Sequence, residues 1–230
     1  MKMKIIGHRG AAGIALENTL ESLRAGINAG AHSIEFDVRL TKDGEVVLCH
    51  DSDLKKISQD KRSLKDLTLE ELKSIKLNNG ESAPLLSEAL ETVGSTPVII
   101  EIKEDNMVRK VINIVEAFPE AIVTIASFKH YEISLLKKLS PNTKAYVGSR
   151  TNPFELLQNA KAIGADGLDL NFWVLNPLTY FYAIFNKLDI MVYTIDSQFL
   201  ARFIHFLYPK VMICTNNPQY FTKNKPRKSK

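Results

Sequence analysis

The sequence predicts an α/β fold, a (β/α)8 TIM barrel with a β-hairpin arm and a small insertion after its second strand. Three observations carry this expectation. From Pro97 onward, six short β-rich apolar runs alternate with segments of helical periodicity. Two earlier runs, residues 3–7 and 34–38, bring the strands to eight within 230 residues, a size that single barrels reach. Polar residues recur where these runs end, and the strand ends of a parallel barrel share one face. The competing architecture, a doubly wound open sheet, would have fewer strands and a single switch-point loop.

Taken in order, residues 3–7 form a short first strand followed by a loop with Gly7, Gly10 and Gly13. Asn18 and Thr19 start a helix that runs to about residue 29, and Gly30 stops it. Residues 33–51 read as one hairpin. Glu35 and Asp37 alternate onto one face, Lys42-Asp43-Gly44 turns the chain, and the run 46–49 ends at His50. A turn centred on Asp43 sets His50 opposite Phe36, beside the two acids. The second run is surplus to the barrel and is expected as an arm over its rim. Residues 52–83 are polar and lysine-rich, with a short helix at 68–75 opened by the capping box Thr68-x-x-Glu71, and read as an insertion without a strong core pattern of its own. A short helix at 87–93 returns to the repeat. Strands follow at 98–102, 122–126, 145–148, 167–170, 190–195 and 211–214. Between them lie helices at about 106–117, 131–139, 153–163, 178–186 and 198–207.

Charge excludes one class of function. The formal charge is +4, but Lys223, Lys225, Arg227, Lys228 and Lys230 supply five positives, which leaves −1 on the remainder. Without a basic stripe on the body there is no nucleic-acid signature. Residues 1–222 are read as one barrel domain, with the insertion at about 52–83, and 223–230 as a disordered basic tail. Cys49 and Cys214 lie in apolar runs and are expected as buried free thiols. No apolar run reaches the ~18 residues of a membrane span and no leader is visible, so a cytoplasmic protein without stable membrane insertion is expected. The aromatic run Tyr180-Phe181-Tyr182-Phe185 serves equally as a homo-oligomer face or as a helix packed on its strands.

The chemistry gathers at strand ends: His8-Arg9, Glu35 and Asp37, Glu101-x-Lys103, Ser127, Tyr193 with Asp196, and Asn216-Asn217. Glu35, Asp37 and Glu101 offer hard oxygen ligands suited to Mg²⁺ or Ca²⁺. The alternative is ion pairing with Arg9, Arg39 and Lys103; against it, three acids on one rim repel without a cation. His8 and His50 suit proton transfer near neutral pH. Arg9 and Lys103 suit a phosphate anion. Glu17, at the start of the helix after the first strand, either reaches the same mouth or stabilises its helix as an N-terminal acid. His32, His130 and His205 are read as structural. A metal, two histidines and two cations on one rim fit phosphoryl transfer. His8 is preferred as base and His50 as acid, because the arm brings His50 over the leaving group.

His8-Arg9-Gly10, Glu17-Asn18-Thr19, Glu35-Phe36-Asp37-Val38, Thr41-Lys42-Asp43-Gly44, His50-Asp51, Glu101-Ile102-Lys103 and Ser127-Phe128 resemble the signature of the glycerophosphodiester phosphodiesterases. The resemblance is dense to about Ser127 and thinner beyond. It implies a TIM barrel with an insertion after the second histidine, a divalent metal on Glu35, Asp37 and Glu101, and an acid–base pair of His8 and His50. It also implies hydrolysis of small glycerophosphodiesters to sn-glycerol 3-phosphate and an alcohol. Leu16, Tyr193-Thr194-Ile195-Asp196 and Thr215-Asn216-Asn217-Pro218 depart from the family pattern. These departures alter the pocket walls, with Tyr193 expected as a substrate-binding residue there; Phe172 and Trp173 either line the same pocket or fill the barrel exterior. A lyase that leaves a cyclic phosphate and a non-catalytic glycerophosphodiester-binding barrel are the alternatives.

Overall fold

The computed structural model describes residues 2–151 and 153–222. The expected basic tail lies outside the described residues. The chain opens with β1 (Lys4–Gly7), α1 (Leu20–Asn28), β2 (Ser33–Leu40) and β3 (Val46–Leu48). After the insertion, which holds the short α2 (Leu69–Ser74), come α3 (Leu86–Val93), β4 (Val98–Ile102), α4 (Val108–Glu116), β5 (Val123–Ser127) and α5 (His130–Leu139). The remainder is β6 (Lys144–Ser149), α6 (Pro153–Ile163), β7 (Gly167–Asn171), α7 (Pro177–Phe185), β8 (Asp189–Tyr193), α8 (Gln198–Leu207) and β9 (Met212–Thr215).

Eight parallel strands close into a barrel because β1 pairs with both β2 and β9. The ninth strand, β3, lies outside the barrel and pairs antiparallel with β2. Its register, Val38 opposite Leu48 and Leu40 opposite Val46, centres the turn on Asp43 as the sequence predicts. Strand alternation explains the two cores. Ile34, Phe36 and Val38 on β2, Ile100 and Ile102 on β4, and Leu168 and Leu170 on β7 pack outward against the helices. Residues of opposite parity, including Ile6, Ile99, Tyr146, Met191 and Cys214, fill the barrel interior. Both cysteines are free and buried.

Local caps fix the helices that aim the site. Thr19 accepts the Ser22 amide at the start of α1. Thr68 and Glu71 form the expected capping box on α2. Glu132, fully buried on α5, accepts the amides of Asn106, Met107 and Val108, so one carboxylate satisfies the open end of α4. Gly26 brings α1 against the loop after β1: a Cβ there would stand 2.7 Å from both the Gly10 carbonyl oxygen and Ile34 Cδ1. Gly26→Ala should therefore destabilise the protein by about 1–3 kcal/mol despite alanine's better helix propensity, read as a lowered Tm.

The insertion departs from expectation. Leu54, Ile57, Leu64, Leu67, Leu72, Leu77 and Ala83 bury themselves with Val47 and Cys49 of the arm in a separate core. These residues sit on turns, a 3₁₀ segment and one short helix, so no single period connects them. On α7 the aromatic run divides: Tyr180 is 7% exposed and packs at a tilt against Tyr208, whereas Phe185 is 86% exposed. No described helix is long and apolar enough to cross a membrane.

Candidate active site

A cavity of about 500 Å³ opens at the C-terminal ends of the strands. It is lined by His8 and Arg9 after β1, Glu35 of β2, His50 of the arm, and Glu101 with Lys103 at β4. Glu35, Asp37 and Glu101 each offer an oxygen, and these oxygens lie within 4.8 Å of one another. Glu35 and Asp37 are almost fully buried.

The surroundings leave a buried oxygen of this triad without a partner. The Arg9 amide donates to Glu35 Oε2 at 2.9 Å, while Glu35 Oε1 is buried without a partner. Asn18 donates through Nδ2 to Asp37 Oδ2 at 2.9 Å and accepts the Asp37 amide through Oδ1. Lys103 donates to Glu101 Oε1 at 2.6 Å and lies 3.3 Å from Asp37 Oδ1. Burial, reinforced by the charge of Asp37, raises the pKa of Glu35 to about 8 and that of Glu101 to about 7. Burial would raise Asp37 too, but Lys103 and Arg9 hold it below the usual carboxylate range. Three hard-oxygen donors around an orphaned buried oxygen fit a divalent cation, which would relieve their mutual repulsion.

Both histidines are held by Nδ1. Asn216 donates through Nδ2 to Asp196 Oδ2 at 2.8 Å, which turns its Oδ1 toward His8; His8 Nδ1 donates to it at 2.7 Å. His50 Nδ1 donates to Asp51 Oδ1 at 2.7 Å. Each ring therefore leaves Nε2 out of that bond, and His8 Nε2 lies 4.0 Å from Glu35 Oε2. Burial lowers the pKa of both; Arg9 adds to this for His8, while Asp37 acts upward on His50 against Lys103 and Arg9.

Two of the three cations of the ion-pair alternative, Arg9 and Lys103, lie against acids of the triad. Arg9 Nη1 donates to Glu17 Oε1 at 2.6 Å and its Nε lies 3.3 Å from Asp37. Glu17 thus meets Arg9 and Lys56. Arg39 instead pairs with Glu104 and donates to the His50 carbonyl. Arg9 adopts φ 49°, a left-handed conformation that is costly for a residue with a Cβ, and its amide and its guanidinium go to different acids. Tyr193 lines the cavity edge-to-face with Phe128, and Phe172 lines it too. Trp173 is 82% exposed and stacks on Phe172 from outside. Ser127 is spent on the β5 turn, donating to the Ile102 carbonyl and accepting the Lys129 amide. Sequence reasoning missed Asp169 and Arg150 in the lining and the use of Asn18 as a brace for Asp37 rather than a helix cap.

A parallel barrel with an acidic triad and two histidines at its mouth defines the class of molecule. Comparison then places it: the profile of the Glycerophosphoryl diester phosphodiesterase family matches residues 8–219, and the chain belongs to that family. A glycerophosphodiester phosphodiesterase of Caldanaerobacter subterraneus is 34% identical over 159 residues, 63% of this chain. That match spans 65% of the relative's length, just under two thirds. Among solved structures, a Thermotoga maritima glycerophosphodiester phosphodiesterase superposes with TM-score 0.84 at 26% identity, covering 98% of this chain and 99% of that one. An Oleispira antarctica phosphodiesterase, solved with the product sn-glycerol-3-phosphate, shares the fold with TM-score 0.88 at 22% identity, covering 95% and 94%.

Proposed function

We propose that this chain hydrolyses small, water-soluble glycerophosphodiesters to sn-glycerol 3-phosphate and an alcohol. The observation that carries the reading is the open oxygen of a buried carboxylate triad beneath two histidines that both present Nε2. Glu35, Asp37 and Glu101 would hold Mg²⁺ or Ca²⁺, which supplies Lewis-acid stabilisation of charge on the phosphoryl oxygens when bound. The anionic diester draws Arg9 and Lys103 from their acids onto its non-bridging oxygens. His8 Nε2 takes a proton from the attacking water as its oxygen bonds to phosphorus. The P–O bond to the alcohol breaks, and that alkoxide takes the proton held on His50 Nε2. Asp37 and Asp51 favour the imidazolium this requires against burial, Lys103 and Arg9, and the two cations are neutralised once the diester is bound. Glu17 supports Arg9 from behind, and Tyr193 shapes the wall.

The test is an assay of the purified protein on glycerophosphodiesters of several head groups with Mg²⁺ or Ca²⁺ added, coupled to glycerol 3-phosphate detection. Stoichiometric glycerol 3-phosphate is expected. A persistent cyclic phosphate in its place would transfer the site to the lyase reading.

A further inference from the structure

One buried acid in the cavity has no part in the proton transfers above. Asp169 lies on β7 between Leu168 and Leu170, which face the helices, so its own side chain turns inward. It is 2% exposed, lines the catalytic cavity, and its Oδ1 has no hydrogen-bond partner. Leaving a buried polar atom unpaired costs about 1–3 kcal/mol, so its retention calls for a physical reason.

No described residue donates to Asp169 Oδ1, although the Tyr193 hydroxyl lines the same cavity. Its strand neighbours in register are Gly148 and Met191. Lys103, a cation that acts on it, is already engaged by Glu101 and Asp37. The cavity is also lined by Met191 and Cys214 of the barrel interior, so it offers surface besides the cations that would engage a phosphoryl group.

From this we infer that Asp169 is a polyol subsite: its carboxyl hydrogen-bonds a hydroxyl of the glycerol unit and so fixes which ester arm is retained and which leaves. The inference rests on the phosphodiesterase reading and adds the residue that recognises glycerol. A hydroxyl both donates and accepts, so it satisfies a carboxyl in either protonation state. A cationic head group is the other chemistry an acid could take. It suits the site less well, because a cation already lies on one of the lining's aromatic faces, Arg150 at 5.3 Å from the Phe128 ring centroid, and would repel a second.

Asp169→Leu, close in size and without hydrogen-bonding capacity, is compared with Asp169→Asn, which keeps part of that capacity. Kinetics are measured on glycerophosphoethanolamine and on bis(p-nitrophenyl) phosphate, which has no glycerol, with inhibition by free glycerol and calorimetric binding of sn-glycerol 3-phosphate alongside. The Leu variant should raise KM for the glycerol substrate about tenfold or more and weaken glycerol 3-phosphate by a similar factor. Its turnover of the glycerol-free diester should stay at the wild-type level, with the Asn variant in between. Equal losses on both diesters, or unchanged glycerol 3-phosphate binding, overturn the subsite. So does a change confined to the ethanolamine head group with glycerol inhibition intact. If the wild-type protein hydrolyses no glycerophosphodiester, the function proposed above fails. The binding comparison then decides the subsite by itself.

Discussion

His8→Ala and His50→Ala each lower kcat on an unactivated glycerophosphodiester by about 10²–10⁴-fold while the protein keeps its thermal transition. The two losses should be distinguishable. An alkoxide needs a proton to leave, whereas p-nitrophenolate departs as a stable anion. On a p-nitrophenyl ester of glycerol phosphate, His50→Ala should therefore recover most of its rate and His8→Ala should not. The assignment rests on how each ring is held. His8 reaches the site from the mouth of β1 and is locked by Asn216, itself fixed by Asp196. His50 rides on the arm and is paired with Asp51. Asn216→Leu should reproduce part of the His8 defect in kcat with little change in KM, because it frees the imidazole without removing it. Recovery by His8→Ala in place of His50→Ala would exchange the roles, and near-wild-type rates in both variants would remove the mechanism.

The parts of the molecule legible in the sequence are those set by short-range periodicity. The register of β2 on β3 follows from alternation and from a turn at Asp43-Gly44, and a slip of one residue would have carried His50 away from Asp37. The limits of α6 and α8 match the expected 153–163 and 198–207, because Pro153 opens the first and Ser197 caps the second. Other features depend on contacts distant in sequence. The insertion's core joins Val47 and Cys49 to residues as far as Ala83 through turns, so no helical or strand period marks it. Glu132 on α5 reads as an ordinary first-turn acid, yet it closes the end of α4. Asn18 resembles a cap, but Thr19 caps α1 and Asn18, at φ 57°, turns to brace Asp37. Asp169 is one polar residue in an apolar strand, and only barrel closure sets it near Glu101 and Glu35. Arg9 and Lys103 serve as phosphate ligands in one reading of the sequence and as ion-pair partners of the acids in the other; packing sets both beside Asp37 and turns Arg39 away to Glu104.

Stripping divalent ions should abolish turnover, and Mg²⁺ or Ca²⁺ should restore it; Asp37→Asn and Glu101→Gln should resist that rescue. The carboxyl energetics give the same site a signature independent of activity. Burial and the charge of Asp37 raise the pKa of Glu35 to about 8 and of Glu101 to about 7. A raised pKa means that the fold favours the protonated acid. Its contribution to stability is complete below the unfolded-state value, roughly 4.3 for glutamate, and is lost as pH rises through the folded-state value. The ion-free protein should therefore lose thermal stability progressively between about pH 5 and pH 8 from these two groups. A divalent ion takes the place of those protons. Adding it near pH 7 should release protons into a weakly buffered solution, and the gain in Tm should grow toward the alkaline end. At an ion concentration about 100 times its Kd the gain is about 2.7 kcal/mol, or roughly 5–10 °C for a domain of this size. Glu35→Gln, which can neither ionise nor supply a carboxylate, should reduce both the proton release and the alkaline Tm gain. An ion-induced Tm shift independent of pH, with activity indifferent to chelation, would take the metal away from Glu35, Asp37 and Glu101 and leave the triad as an ion-pair network with Arg9 and Lys103.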